Sequence, residues 1–267
     1  MDIGQLFQTI FVHPISNLLI VFYKLYLFLG VPGAFGLGII TLTIVVRLLL
    51  HPFFKQQMQT AKKMQDIKPH LDKIKTKHKK DAKRLQQEQM KLYKEFGINP
   101  ASGCLFMIIQ MPIFFGLYTT LSQLLRNGTG AETITKINEI LYSPFLRIQS
   151  IDTWFLGFNL AVSPSSAKSW HYFLIPLLTA ALQFIQASYA TPKTNKNDNE
   201  NKKGKEQDKK DDKGGDFQKA MGTQMKYIFP VMIGWFSYSL PVGLSLYWNI
   251  FSIFSIIQYR KINKKKN

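Results

Sequence analysis

Cysteine is almost missing from this chain: Cys104 is the only one in 267 residues. That excludes an internal disulfide and any cysteine-rich metal site. Acidic residues are scarce too, 16 against 34 Lys and Arg, for a formal net charge of +18. No Asp or Glu falls inside the long apolar runs. A cation-coupled transporter or channel is the alternative reading of a chain with such runs, and it needs acidic groups there. A membrane enzyme would need His, Asp, Glu or Ser converging at one depth, which His51 and Arg47 alone do not supply. No P-loop pattern occurs, so no nucleotide site is expected, nor any cofactor or metal. A basic n-region and a small-residue cleavage site are both missing, so no cleavable signal peptide is expected. No internal repeat is visible.

What the chain has is apolar runs of membrane length. A mean hydropathy near zero averages two materials, these runs and dense lysine blocks. Five runs read as spanning helices, at about 35–55, 103–125, 171–190, 226–240 and 242–259. A helix of about 20 residues crosses the hydrocarbon core, so the fourth is short for a span. Pro112, Pro176 and Pro230 fall where membrane helices tolerate them. Residues 1–34 read as an extracytoplasmic tail, with 15–29 as an amphipathic helix at the interface and a sixth span as the alternative.

Charge sets the orientation. Residues 55–97 carry 13 Lys/Arg, 191–226 carry ten and 260–267 carry five, against four in 126–169 and one in 1–34. The positive-inside rule places the three basic segments in the cytoplasm and the N-terminus outside. Residues 56–98 have helical period: Met58, Met64, Ile67, Leu71 and Ile74 form one stripe, Leu85, Met90, Leu92 and Phe96 a second. This predicts a basic helical hairpin, either a docking surface or a pair packed on itself. The low-complexity segment 193–216 reads as a disordered linker, and 260–267 as a basic tail.

Arg47 stands in the first run, between GLGIITLTIVV and LLLHPFF. A guanidinium at that depth costs about 2.5–3.5 kcal/mol on insertion scales. It is either a site that attracts negative charge from outside the chain or an anchor that snorkels toward Lys55, roughly 12 Å away at 1.5 Å per residue. Thr43, one turn away, shares its face. Gln183 and Gln186 are three apart and can share another, and Gln110 interrupts the second run. Interhelical hydrogen bonds would also explain these glutamines, and membrane-interface packing would explain Trp248 and Tyr247.

In the stretch YKEFGINPASGCLFMIIQMPIFFGLY, Gly97 ends a helix, Asn99-Pro100 starts the next element, and Gly103 and Cys104 permit close helix contact. Together with TLTIVVRLLLHP, KKMQDIKPHLDKIKTKHKKD and SLPVGLSLYWNIFSIFSIIQ, it resembles the YidC family of membrane protein insertases, relatives of the Oxa and Albino proteins. The likeness extends from about residue 14 to the tail. It implies an all-α integral membrane protein: a five-transmembrane-helix bundle, membrane domain 35–259, with a cytoplasmic helical hairpin and an N-terminal interfacial helix. It implies a groove, open to cytoplasm and lipid, in which Arg47, Thr43, Gln110, Gln183 or Gln186, and Trp248 meet a substrate. The activity implied is insertion of nascent membrane proteins in the bacterial inner membrane, without enzyme chemistry. The ribosome, the Sec translocon and anionic lipids are the implied partners. Lys75, Lys77, Lys79 and Lys80 of the hairpin and Lys264, Lys265 and Lys266 of the tail are candidates for ribosome or lipid contact; the sequence does not separate the two. The chain departs from longer relatives in having no large extracytoplasmic domain, no long helical C-terminal extension and no lipobox cysteine, so a minimal bacterial form is expected.

Overall fold

The computed structural model describes residues 2–78, 81–99, 101–126, 131–190 and 224–264. The segment expected to be a disordered linker, 193–216, lies outside the described residues. The described chain is mostly helical. The first helix is continuous, as α1 (Ile3–Phe7), a π-helical turn (Gln8–Val12) and α2 (His13–Phe28). Its 26 residues are long and apolar enough to cross a membrane, longer than the interfacial helix expected over 15–29. Three of its side chains bond one segment. Asn17 takes the Ile140 carbonyl and the Tyr142 N–H, Lys24 the Phe145 and Arg147 carbonyls, and Tyr23 Oη the Asp152 N–H.

A turn with left-handed glycines, Gly30 at φ 66° and Gly33 at φ 73°, leads into α3 (Ala34–Leu49). The sequence expectation of one straight span over 35–55 is not what forms. The chain breaks at Leu50 and restarts as α4 (His51–Asp66), bent by 69°. Pro52 explains the break: it has no N–H for the carbonyl of Leu48, and its ring disfavours a continuous helix there. Arg47 consequently lies in the last turn of α3, where the partial negative charge of the helix end favours a cation. It is about one turn from the bend and not the two turns from Lys55 that a straight helix would impose.

Next come α5 (Lys68–Lys77) and α6 (Ala82–Glu95). Ile67, Leu71, Leu92, Tyr93 and Ile98 form their shared core, with Met64 and Ile74 against it. Met90 and Phe96, expected in the second stripe, are exposed, and Tyr93 and Ile98 take the buried positions. Asp81 caps α6 by accepting from Arg84 N–H. Met58 serves elsewhere, with Phe54 and Tyr259.

The bundle continues with α7 (Ala101–Arg126) and α8 (Ala131–Ile140), then a small hairpin, β1 (Trp154–Phe155) and β2 (Phe158–Asn159). α9 (Leu174–Ala190), α10 (Phe229–Ser239) and α11 (Val242–Lys264) complete it. Trp170–Tyr189 and Val242–Ile262 pass as spans by length and apolarity, and the bent pair α3–α4 passes as a broken one. The apolar described part of α7, Met111–Leu125, is shorter, as is α10. Small residues set the closest approaches: a Cβ on Gly234 would lie 3.0 Å from Ala180 Cβ, and one on Gly116 2.9 Å from Ile15 Cδ1. The core runs through Leu19, Phe35, Ile39, Leu42, Leu121, Leu160 and Leu244.

One end of the bundle is closed by the segment between α8 and α9. The ring of Phe155 sits where side chains of Gly33 and Gly36 would be; a Cβ on Gly36 would fall 2.3 Å from its Cγ. The carbonyls of Leu160 and Val162 accept from Gly243 and Val242 N–H, supplying acceptors for two of the donors that the start of α11 leaves unpaired.

Candidate functional site

The site is a polar seam inside the apolar bundle, and α11 carries most of it. Ser245, Asn249, Ser252, Ser255 and Gln258 recur every three or four residues, so they share one face of a helix. All five are buried. The sequence reading missed all five, since only Trp248 and Tyr247 of this helix were singled out. The 3–4 spacing of small polar residues in an apolar run was the available signal.

α3 packs against α11 and runs parallel to it: Gly243 lies beside Ile39, and Ser255 beside Arg47. Thr43 is midway along α3 between those points, which places it at the level of Asn249. α9 also runs parallel to α11. Thr179 accepts from Ser237, which also shares a hydrogen bond with Ser245. Ten residues further along α9 and fifteen along α11, Arg260 Nε donates to Tyr189 Oη. Gln183 and Gln186 lie between those two points, alongside the stretch of α11 from Asn249 to Ser255. Gln183 is buried and Gln186 half-buried. Trp248 is buried and stacks on Phe114 of α7, centroids 5.5 Å apart and planes 8° from parallel. Gln110 lies one turn from Phe114 on α7; its side chain is outside the described residues.

Arg47 is 3% exposed, so it does not snorkel into solvent. Its Nη2 donates to Ser255 Oγ at 2.5 Å and to Gln258 Oε1 at 3.2 Å. Its guanidinium carbon lies 4.0 Å from the ring centroid of Phe54 and 4.3 Å from that of Phe251. Among the described residues no carboxylate is a partner of it. The neutral contacts can still hold it. Hydrogen bonds to a charged group contribute about 1.5–3 kcal/mol each, and a desolvated cation–π contact about 2 kcal/mol. Those magnitudes match or exceed the insertion cost of about 2.5–3.5 kcal/mol.

The seam is not saturated. Among the described residues, Arg47 Nε, Gln186 Oε1, Asn249 Oδ1 and Ser252 Oγ are buried without a hydrogen-bond partner. Each such group costs about 1–3 kcal/mol if it stays unpaired, so the seam favours water or an incoming polar chain. Over its Gln258 end lies α4. Phe54 and Met58 pack on Tyr259, Gln65 Nε2 donates to the Tyr189 carbonyl at 3.1 Å, and Lys62 Nζ to the Ile262 carbonyl at 3.4 Å.

The lysines proposed for ribosome or lipid contact are only partly placed. Lys75 and Lys77 lie in the last turn of α5, with Lys77 exposed and Lys75 half-buried. Lys79, Lys80, Lys265 and Lys266 lie outside the described residues, and of Lys264 only the backbone, at the end of α11, is described. Among the described residues no cluster of His, Cys, Asp or Glu could hold a metal ion.

Residues 25–267 match the family model described as "60Kd inner membrane protein". A protein of Oceanobacillus iheyensis named "Membrane protein insertase YidC" is 33% identical over an alignment covering 97% of this chain and 84% of that protein. "Inner membrane ALBINO3-like protein 1, chloroplastic" of Chlamydomonas reinhardtii is 31% identical over 82% of this chain and 42% of its own length. A "Membrane protein insertase YidC" of Wolinella succinogenes is 31% identical over 97% of this chain and 38% of its own. The chain thus spans most of the first relative and less than half of the other two.

Proposed function

The chain belongs to the 60Kd inner membrane protein family, that of the YidC, Oxa and Albino insertases, and on that premise we propose that this multi-pass membrane protein inserts newly made proteins into the bilayer. The observation that carries the proposal is Arg47: a cation buried among apolar helices, held by neutral groups, with its Nε–H unpartnered and no carboxylate bonded to it among the described residues. The seam of Thr43, Arg47, Gln183, Gln186, Trp248, Asn249 and Ser252 is the substrate groove, with Gln110 contributing from α7.

A translocated segment must carry polar groups across about 30 Å of hydrocarbon. A polar seam shortens the dry path, and Arg47 attracts acidic residues of the leading tail. The substrate's apolar helix then leaves sideways, because its burial in lipid is favourable. Hydrophobic partition drives the step, with the membrane potential acting on negative charge.

The membrane domain in this reading has five spans, supplied by α3, α7, α9, α10 and α11, with the N-terminus outside and the C-terminus in the cytoplasm of a bacterial inner membrane. The Ile3–Phe28 helix lies at the outer surface. Supporting this, Asn17, Tyr23 and Lys24 all bond residues 140–152, so two turns of the helix run along the closing segment. The α4–α6 region and the tail face the ribosome and anionic lipid headgroups, and the Sec translocon is a further partner.

The test is reconstitution. Purified protein in liposomes should accelerate insertion of a short single-span substrate with an acidic leading tail. No acceleration over protein-free liposomes would end this reading.

A further inference from the structure

A guanidinium only donates hydrogen bonds, and that decides which way Gln258 faces. Arg47 Nη2 donates to Gln258 Oε1. The amide nitrogen of Gln258 therefore points the other way, where it lies 3.0 Å from His51 Nδ1. An amide NH2 donates and does not accept, so Nδ1 must supply the lone pair and the imidazole proton sits on Nε2. One buried side chain thus links the cation on α3 to His51, an exposed residue at the first position of α4, just past the 69° bend. Ser255 is committed in the same sense. Its hydroxyl donates to the Phe251 carbonyl at 2.9 Å, which leaves its oxygen to accept from Arg47. Both bonds to Arg47 end on Nη2, and Nε is left without a partner.

We propose that Gln258 and His51 are positioning residues for Arg47: His51 sets the direction of the Gln258 amide, and Gln258 holds the guanidinium by Nη2 so that Nε–H remains to meet a substrate carboxylate. This rests on the reading of Arg47 as the group that contacts substrate. Removing the His51 acceptor lets the Gln258 amide turn its nitrogen toward Arg47, donor against donor, and the guanidinium loses one of two tethers.

The experiment uses the full chain in liposomes and two substrates that differ only in tail, Asp in one and Asn in the other. His51→Leu, which removes the acceptor, should raise the half-saturating concentration of the Asp-tailed substrate about three- to tenfold. The Asn-tailed substrate should be unaffected. His51→Asn, whose side-chain oxygen can accept from Gln258, should restore most of the difference. Gln258→Met, similar in volume and without either bond, should behave as His51→Leu does. As a direct readout, modification of Arg47 by phenylglyoxal, followed by peptide mass spectrometry, should be faster in His51→Leu than in His51→Asn. The proposal is overturned if His51→Asn is no better than His51→Leu, or if both substrates are slowed equally, since either result makes the pair structural. Arg47→Ala, run alongside, separates the two levels. If it leaves Asp-tailed insertion unchanged, the reading of Arg47 itself fails; if it impairs insertion while the His51 and Gln258 variants do not, only the positioning role fails.

Discussion

Arg47 is the buried cation on which the proposed mechanism rests. Arg47→Ala should slow insertion of an acidic-tailed substrate about ten- to hundredfold, the effect of losing one charged hydrogen bond of about 1.5–3 kcal/mol. Arg47→Lys should keep part of the rate, because charge matters here more than a planar fork. Rates per folded molecule, measured in liposomes, decide this; if Ala matches the native rate, electrostatic capture is the wrong mechanism. Gly36 and Phe155 make a second residue-scale case. Because a Cβ at Gly36 would overlap the Phe155 ring, Gly36→Ala should cost about 1–3 kcal/mol of stability. Most of that cost should vanish in a Phe155→Ala background. Thermal unfolding in detergent of the four proteins in this cycle gives the coupling, and simple additivity would show that the ring does not rest on the glycine.

Among the elements, the α4–α6 region matters because α4 covers the Gln258 end of the seam. Deleting residues 62–91 should reduce insertion severalfold even in protein that still reaches the membrane, since Lys62 and Gln65 fasten α4 to the ends of α11 and α9. Deleting 194–215, a stretch with no apolar stripe, should change the rate little. Equal loss from both deletions would assign the α4–α6 region no special role. Neutralising Lys75, Lys77, Lys79 and Lys80 together should weaken co-sedimentation with ribosomes and flatten its salt dependence. Unchanged binding would move that contact to Lys264, Lys265 and Lys266.

For the whole molecule, orientation is the property to measure. In a background with Cys104 replaced by Ser, Ser150→Cys should react with a membrane-impermeant thiol reagent added outside intact cells. Thr76→Cys should react only after the cells are opened. Both positions are exposed in the structure, so a failure to label reflects the side of the membrane and not burial. The reverse pattern would invert the topology and place α4 and Arg47 on the outer side, where the acidic-tail mechanism could not operate.

Hydropathy and charge asymmetry were legible in the linear chain because both are local sums: a run of apolar residues must find lipid or core, and a block of lysines must not. Arg47 was legible for the same reason, as one charge where none is cheap. The family resemblance likewise singled out Thr43, Gln110, Gln183 or Gln186, and Trp248 as groove candidates, a role that the insertion assays test. The bend at Leu50 was half-written in Pro52, whose missing N–H breaks the helix, but the angle depends on what α4 packs against. The stripe from Ser245 to Gln258 was present as spacing, yet small polar residues at that spacing suit any membrane helix. Only the parallel packing of α3, α9 and α11 decided that this face meets Arg47 and that Gln258 accepts from it. Hydrogen-bond partners 207 to 211 positions apart in the chain are chosen by how helices pack, and no local pattern encodes that choice.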